Sequence, residues 1–153
     1  MQPSSNSLPL YFVPLFFCFF VAVWGFASFV IAVVSGWFAL SGRFRWESNP
    51  SSPAKSAGPF FYTVYMRFAC HYSSVIRVTA AEDALYLSVL ILFRIGHPPL
   101  RIPWNEIRMR RAKYLWLWPV VLLTLGNEEQ IPMRIPERMA RNLGILERIP
   151  VEA

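Results

Sequence analysis

The sequence predicts a membrane-bound α+β architecture: one N-terminal transmembrane helix, then an antiparallel β barrel or sandwich closed by a C-terminal helix. Three observations predict it. Residues 1–42 contain no Asp, Glu, Lys, Arg or His, so the whole net charge of +6 lies from Arg43 onward. From Phe60 the apolar residues recur at every second position, the period of a strand with one buried face. After Pro136 the spacing lengthens to that of a helix. With 153 residues there is room for one modest domain beside an anchor.

The first element is a transmembrane helix over residues 10–42, preceded by a short tail over 1–9. Residues 10–40 are apolar on every face, whereas a helix lying on a membrane surface would show a single apolar stripe. A hydrocarbon layer of about 30 Å needs about 20 helical residues, so this run spans it with residues to spare. A cleaved signal peptide would have a basic leading segment and a shorter apolar run, and lipid attachment at Cys18 is disfavoured by the bulky Phe16 and Phe17 before it. The remaining chain is too small to wrap such a helix as a soluble core. Arg43 and Arg45 follow the span and no basic side chain precedes it, so the positive-inside rule puts the C-terminal domain in the cytoplasm, with the protein in the cell membrane. Trp37, Arg43, Arg45 and Trp46 are expected as membrane-interface anchors. Ser28, Ala32 and Gly36 recur every fourth residue, a spacing that lets two helices approach closely, so a homodimer through this face is one expectation.

Residues 43–59 are expected to form a juxtamembrane segment and a linker, because Pro, Ser, Ala and Gly there cannot bury a core. The β domain then occupies residues 60–153. Its expected faces are Tyr62, Val64, Met66 and Phe68; Ile76 and Val78; and Leu85, Leu87, Val89, Ile91 and Phe93. Further strands are expected over 110–118, 120–125 and 130–135, giving about six or seven in all. Turn residues separate them at Glu82 and Asp83, at Gly96, His97, Pro98 and Pro99, and at Gly126, Asn127 and Glu128. A closing amphipathic helix is expected over 137–148, with Met139, Leu143 and Leu146 inward and Gly144 weakening its centre.

The stretch Asp83, Ala84, Leu85, Tyr86, Leu87, Ser88, the later Ile102, Pro103, Trp104, Asn105, Glu106, Ile107, and the two strands and helix that follow resemble bacterial pleckstrin-homology-like (GRAM-like) domains. The whole chain is similar to bacterial single-pass membrane proteins that place one N-terminal span before such a domain. The resemblance implies a barrel or sandwich capped by a helix, and it covers roughly the last two thirds of the chain. Phosphoinositide-binding members of the wider superfold carry basic side chains in the first hairpin loop. Here that loop, around residues 69–74, has only His71 at its turn with Arg67 and Arg77 beside it, so no headgroup site is carried over.

The candidate chemistry is sparse. Arg108, Arg110, Arg111 and Lys113 form the densest basic cluster, a candidate contact for anionic lipid headgroups; a solvated strand face with a basic edge that discourages strand pairing is the preferred reading. Cys70 and His71 are an adjacent thiol and imidazole, the basis of an alternative reading as a small membrane-bound thiol hydrolase, although strand neighbours point to opposite faces. His97 is expected to order its turn. Trp104 is expected in the core at the end of the barrel, with Arg101 and Glu106 on its rim. The carboxylates fall in turns without a spacing that fixes a pair for acid–base work, and two histidines offer no metal-ligand set, so neither a metal nor a cofactor is expected. Cys18 and Cys70 are expected as free thiols. No nucleic-acid reading motif accompanies the positive charge. The sequence therefore leads to a noncatalytic binding or scaffold module on a membrane tether, with a protein partner expected beside the bilayer; a subunit of a larger membrane complex is the other alternative.

Overall fold

The computed structural model describes residues 11–46, 55–56, 63–114 and 118–149; the expected tail over 1–9, most of the linker, Phe60 and Tyr62 lie outside the described residues. Helix α1 (Phe12–Val34) is 23 residues long and apolar throughout. The expected single helix over 10–42 is divided. At Gly36 the backbone turns left-handed, with φ 84°, and a second helix, α2 (Trp37–Phe44), starts in a new direction. Only glycine fits this corner, because a Cβ on Gly36 would stand 2.6 Å from Ile131 Cδ1.

Two antiparallel sheets follow. Strands β1 (Lys55–Ser56), β4 (Ile76–Ala80), β5 (Ala84–Val89) and β6 (Leu100–Pro103) pair in the order β1-β4-β5-β6. Strands β2 (Thr63–Met66), β3 (Cys70–Ser73), β7 (Ile107–Tyr114), β8 (Trp118–Leu125) and β9 (Ile131–Pro136) pair in the order β3-β2-β9-β8-β7. Part of the expected linker thus belongs to a sheet, Lys55 and Ser56 pairing with Ala80 and Thr79. The two sheets form an open pair rather than a closed barrel.

Alternation on the strands builds one core. Ile76 and Val78, then Leu85, Leu87 and Val89, meet Val121, Leu123 and Leu125 and Ile131, Met133 and Ile135 in a single apolar cluster. Trp37, Leu40 and Phe44 of α2 belong to the same cluster. α2 packs against β6, and α3 (Glu137–Asn142) covers β8 and β9. The expected closing helix over 137–148 stops early: Gly144 takes φ 70° and a short 3-10 turn, Leu146–Arg148, replaces its last part. Met139 and Leu143 are buried as expected.

Two expected strand faces end sooner than their periodicity suggests. Phe68 sits at φ 54° in the tight turn between β2 and β3 and is exposed. β5 stops at Val89, so Ile91 and Phe93 leave the sheet in a 3-10 turn, Ile91–Phe93. The turn closes on itself, with Phe93 N–H donating to Leu90 O at 2.8 Å, and it lies against α1 instead of against a strand.

Candidate functional site

The chemistry-bearing residues gather where α1, the α1–α2 corner and the loop between β5 and β6 converge. Ser35, just before the Gly36 corner, has its Oγ 2.8 Å from the Tyr72 hydroxyl of β3. The same hydroxyl is 2.9 Å from Nε2 of His97, whose Nδ1 is 3.1 Å from Ile95 O. A carbonyl only accepts, so the His97 proton resides on Nδ1 and Nε2 is left as an acceptor facing Tyr72. Trp37 N–H donates to Ser35 Oγ at 3.3 Å, and Trp37 Nε1 donates to Pro98 O at 2.9 Å. The rings of Trp37, Tyr72 and His97 pack mutually, with centroids 5.4 to 6.0 Å apart.

Burial sets the protonation of this cluster. It drives the His97 pKa below the ordinary imidazole value, and hydrogen bonds to the Ile95 and Phe93 backbone oppose the shift without cancelling it. Burial also pushes Tyr72 up to about 12, against the lowering effect of its bond to Ser35. Both rings are therefore neutral near pH 7. The cluster is a polar pin joining the helix corner to the sandwich.

Beside the pin, Arg45, Trp46, Arg94, Pro98 and Pro99 line a surface cavity of about 350 Å³. β6 positions this wall through Arg45, which bridges to Leu100, and through Trp46 N–H, which donates to Pro99 O at 2.9 Å. Trp46 also packs on Tyr86 with ring centroids 4.8 Å apart. Tyr86, Asp83 and Arg101 are linked in turn: Arg101 Nη2 meets Asp83 Oδ2 at 2.9 Å, and this guanidinium holds the Asp83 carboxyl below its usual range.

The expected interface anchors have different fates. Trp37 is 0% exposed and belongs to the core, which corrects its assignment to the lipid boundary; a tryptophan just past an apolar run serves the core when the chain turns back at Gly36. Arg43 is held by carboxylates, at 3.2 Å from Glu106 and 3.4 Å from both Glu128 and Glu129, and so clamps α2 to the sandwich. Arg45 and Trp46 do share one surface, at the cavity. Ser28, Ala32 and Gly36 are buried within this chain, with Gly96 against Ala32 and Phe29 and with Ile131 against Gly36. The close approach expected for a second copy is made by the chain's own β5–β6 loop at Ala32 and by its own β9 at Gly36.

The basic cluster does not form one patch. Strand alternation sends Arg108 and Arg110 to one face of β7 and Arg111 and Lys113 to the other, all four exposed on the terminal strand of its sheet. Cys70 and His71 diverge in the same way. His71 stacks on Tyr65 at 4.9 Å, while Cys70 packs toward the core, and burial raises its thiol pKa, the wrong direction for a nucleophile. Trp104 is half-buried and anchored by Nε1 donating to Ala81 O at 2.9 Å, with Arg148 stacked over its ring. Among the described residues no three His, Cys, Asp or Glu side chains come together as a metal site.

Sequence reasoning gave no site role to Ser35, Tyr72, Trp24 or Arg94. Trp24 and Ser35 lie in a run read for its apolar pattern, Tyr72 in a segment expected as a hairpin loop and Arg94 just before an expected turn, and their partners are 25 to 68 positions away in the chain or across a cavity. The available signal was a tryptophan inside an otherwise featureless apolar helix, because an indole N–H away from water needs an acceptor. Comparison of the chain with protein-family models, with curated proteins and with solved structures found no match.

Proposed function

We propose that this protein is a membrane-anchored, noncatalytic binding or scaffold module, with α1 crossing the bilayer once and the β sandwich held on the cytoplasmic side. The observation that carries this reading is the exposure of α1. It is 23 residues long, about 34 Å at about 1.5 Å per residue, yet only 11% of its most apolar stretch is buried in the protein. A core helix of that composition would be covered on most sides; lipid is the solvent that covers this one. Phe16, Phe17, Phe19 and Phe20 all exceed half exposure. The cytoplasmic side is supported by Arg43 and Arg45 after the helix and by the lack of a basic side chain before it.

The pleckstrin-homology-like part of this reading is supported by element order alone, two antiparallel sheets and a C-terminal helix. The noncatalytic reading is supported by the divergence of Cys70 and His71 and by the raised thiol pKa. Two measurements test the proposal. Alkaline carbonate washing of native membranes leaves the full-length protein in the pellet, and protease reaches the sandwich only from the cytoplasmic face. Release into the wash, or a hydrolytic activity lost in Cys70→Ala, would overturn it.

A further inference from the structure

The first part of the loop between β5 and β6, residues 90–96, displays Ile91 at 81%, Leu92 at 65% and Ile95 at 49% exposure, although an aqueous surface would favour their burial. It runs along α1. Trp24 Nε1 donates to Leu92 O at 3.3 Å, the Trp24 and Phe93 rings are 5.0 Å apart, and Gly25 and Gly96 let Ile95 and the loop backbone close on the helix. Helix arithmetic fixes the depth of these contacts. Counted from Phe12, where α1 begins, the about 20 residues that cross hydrocarbon end near Ile31. Trp24 and Gly25 then lie within the hydrocarbon, and so does the loop that touches them.

Irregular backbone tolerates that position only when its polar groups are satisfied internally. Part of this loop's backbone meets the condition. Leu92 O takes the indole proton, Leu90 N–H donates to Val75 O, Phe93 N–H to Leu90 O, Arg94 N–H to Ile91 O, and Ile95 O faces His97. Arg94 follows directly and, being long, can carry its charge back toward the headgroups. There it lines the cavity of about 350 Å³ with Arg45 and Trp46. Two guanidinium groups match a phosphate oxygen pair, and an indole is the side chain most at home at that level.

We propose that this junction is a phospholipid-binding site: the tip of the 90–96 loop sits in the same leaflet as α1, and the cavity between Arg45 and Arg94 takes the phosphate of an anionic lipid headgroup. The site rests on α1 being a membrane span. Two arms of one experiment separate the two readings. Full-length protein is reconstituted into phosphatidylcholine vesicles with or without phosphatidylglycerol, carrying an environment-sensitive probe on Leu92→Cys, Phe16→Cys or Glu128→Cys, with Cys18 and Cys70 replaced by Ser. Lipid-borne quenchers are expected to reach probes at 16 and 92 but not at 128. Quenching at 16 without 92 overturns the loop insertion and leaves the anchor standing; quenching at neither overturns both. If replacing the native thiols disturbs folding, a photocrosslinking residue at 92 in the native chain reads the same contact.

In the second arm, spin-labelled phosphatidylglycerol is expected to associate in preference to labelled phosphatidylcholine, with the preference falling about fivefold for each of Arg45→Gln and Arg94→Gln. Equal association of the two lipids, or displacement of the anionic lipid by inorganic phosphate, would assign the cavity to something other than a lipid headgroup and overturn the proposal.

Discussion

Gly36 carries more of this structure than its small size suggests. Its φ of 84° lets the chain leave α1 and begin α2, and Ile131 fills the space that a Cβ would need. Gly36→Ala combines a left-handed alanine with a clash against the core, so a loss of about 1–3 kcal/mol in chemical unfolding is expected. An unchanged midpoint would show that the corner relaxes freely. The buried pin next to it makes stability depend on pH at both ends. His97 has a depressed pKa when folded, so its contribution is whole above about pH 6.5 and is lost as pH falls from there toward the folded value. Tyr72 is raised to about 12 from 10, so its contribution is whole below about pH 10 and is lost as pH rises through about 12. The alkaline loss amounts to about 2–3 kcal/mol and should vanish in Tyr72→Phe, while His97→Gln should flatten the acid limb; melting temperatures across the pH range measure both. His97 was legible as a turn residue from Gly96 and the two prolines after it, but its bond to Tyr72 was not, since nothing local in β3 announces a partner 25 positions away.

α2 and β7 are the elements whose roles differ most from what their composition suggests. α2 continues an apolar run and reads as more membrane helix, yet Trp37 and Leu40 are fully buried and Arg43 reaches three carboxylates. It is a core element of the sandwich. β7 carries Arg108, Arg110, Arg111 and Lys113 on the terminal strand of the five-stranded sheet, where charge on both faces discourages another strand from pairing. Replacing Arg111 and Lys113 with Thr should therefore shift the detergent-solubilised protein toward larger species in size-exclusion chromatography, with little change in unfolding midpoint. A monodisperse variant would mean that the edge is protected by other means. The strands themselves were mostly legible, because alternation records burial directly: Ile131, Met133 and Ile135 are inward as their spacing requires. Ile91 and Phe93 continue the same alternation past Val89 yet leave the sheet, because α1 offers the loop a second apolar surface that no local pattern reveals.

At the scale of the molecule, the boundary between the exposed apolar helix and the sandwich core falls at Ser35 and Gly36 rather than in the proline-rich segment. Truncation tests this directly. A chain beginning at Ser35 keeps α2 and should retain native secondary structure and a cooperative melt; one beginning at Arg45 loses Trp37, Leu40 and Phe44 from the core and should fail to fold, since removing one large buried side chain alone costs about 3–5 kcal/mol. Cooperative unfolding of the shorter chain would show that α2 is dispensable to the sandwich core. The sequence by itself determined that residues 1–42 carry no charged side chain, that antiparallel strands follow them and that a helix comes near the end, because composition and periodicity depend only on which residues are neighbours along the chain. Tertiary structure alone decided where the apolar run turns from an exposed helix into a core helix, that Arg45 and Arg94 line one cavity, and that Gly96 of the protein's own loop packs against Ala32 and Phe29 of α1. Those outcomes depend on contacts between segments far apart in sequence, and a left-handed glycine and a few ring nitrogens select among arrangements that hydrophobic pattern leaves equally favourable.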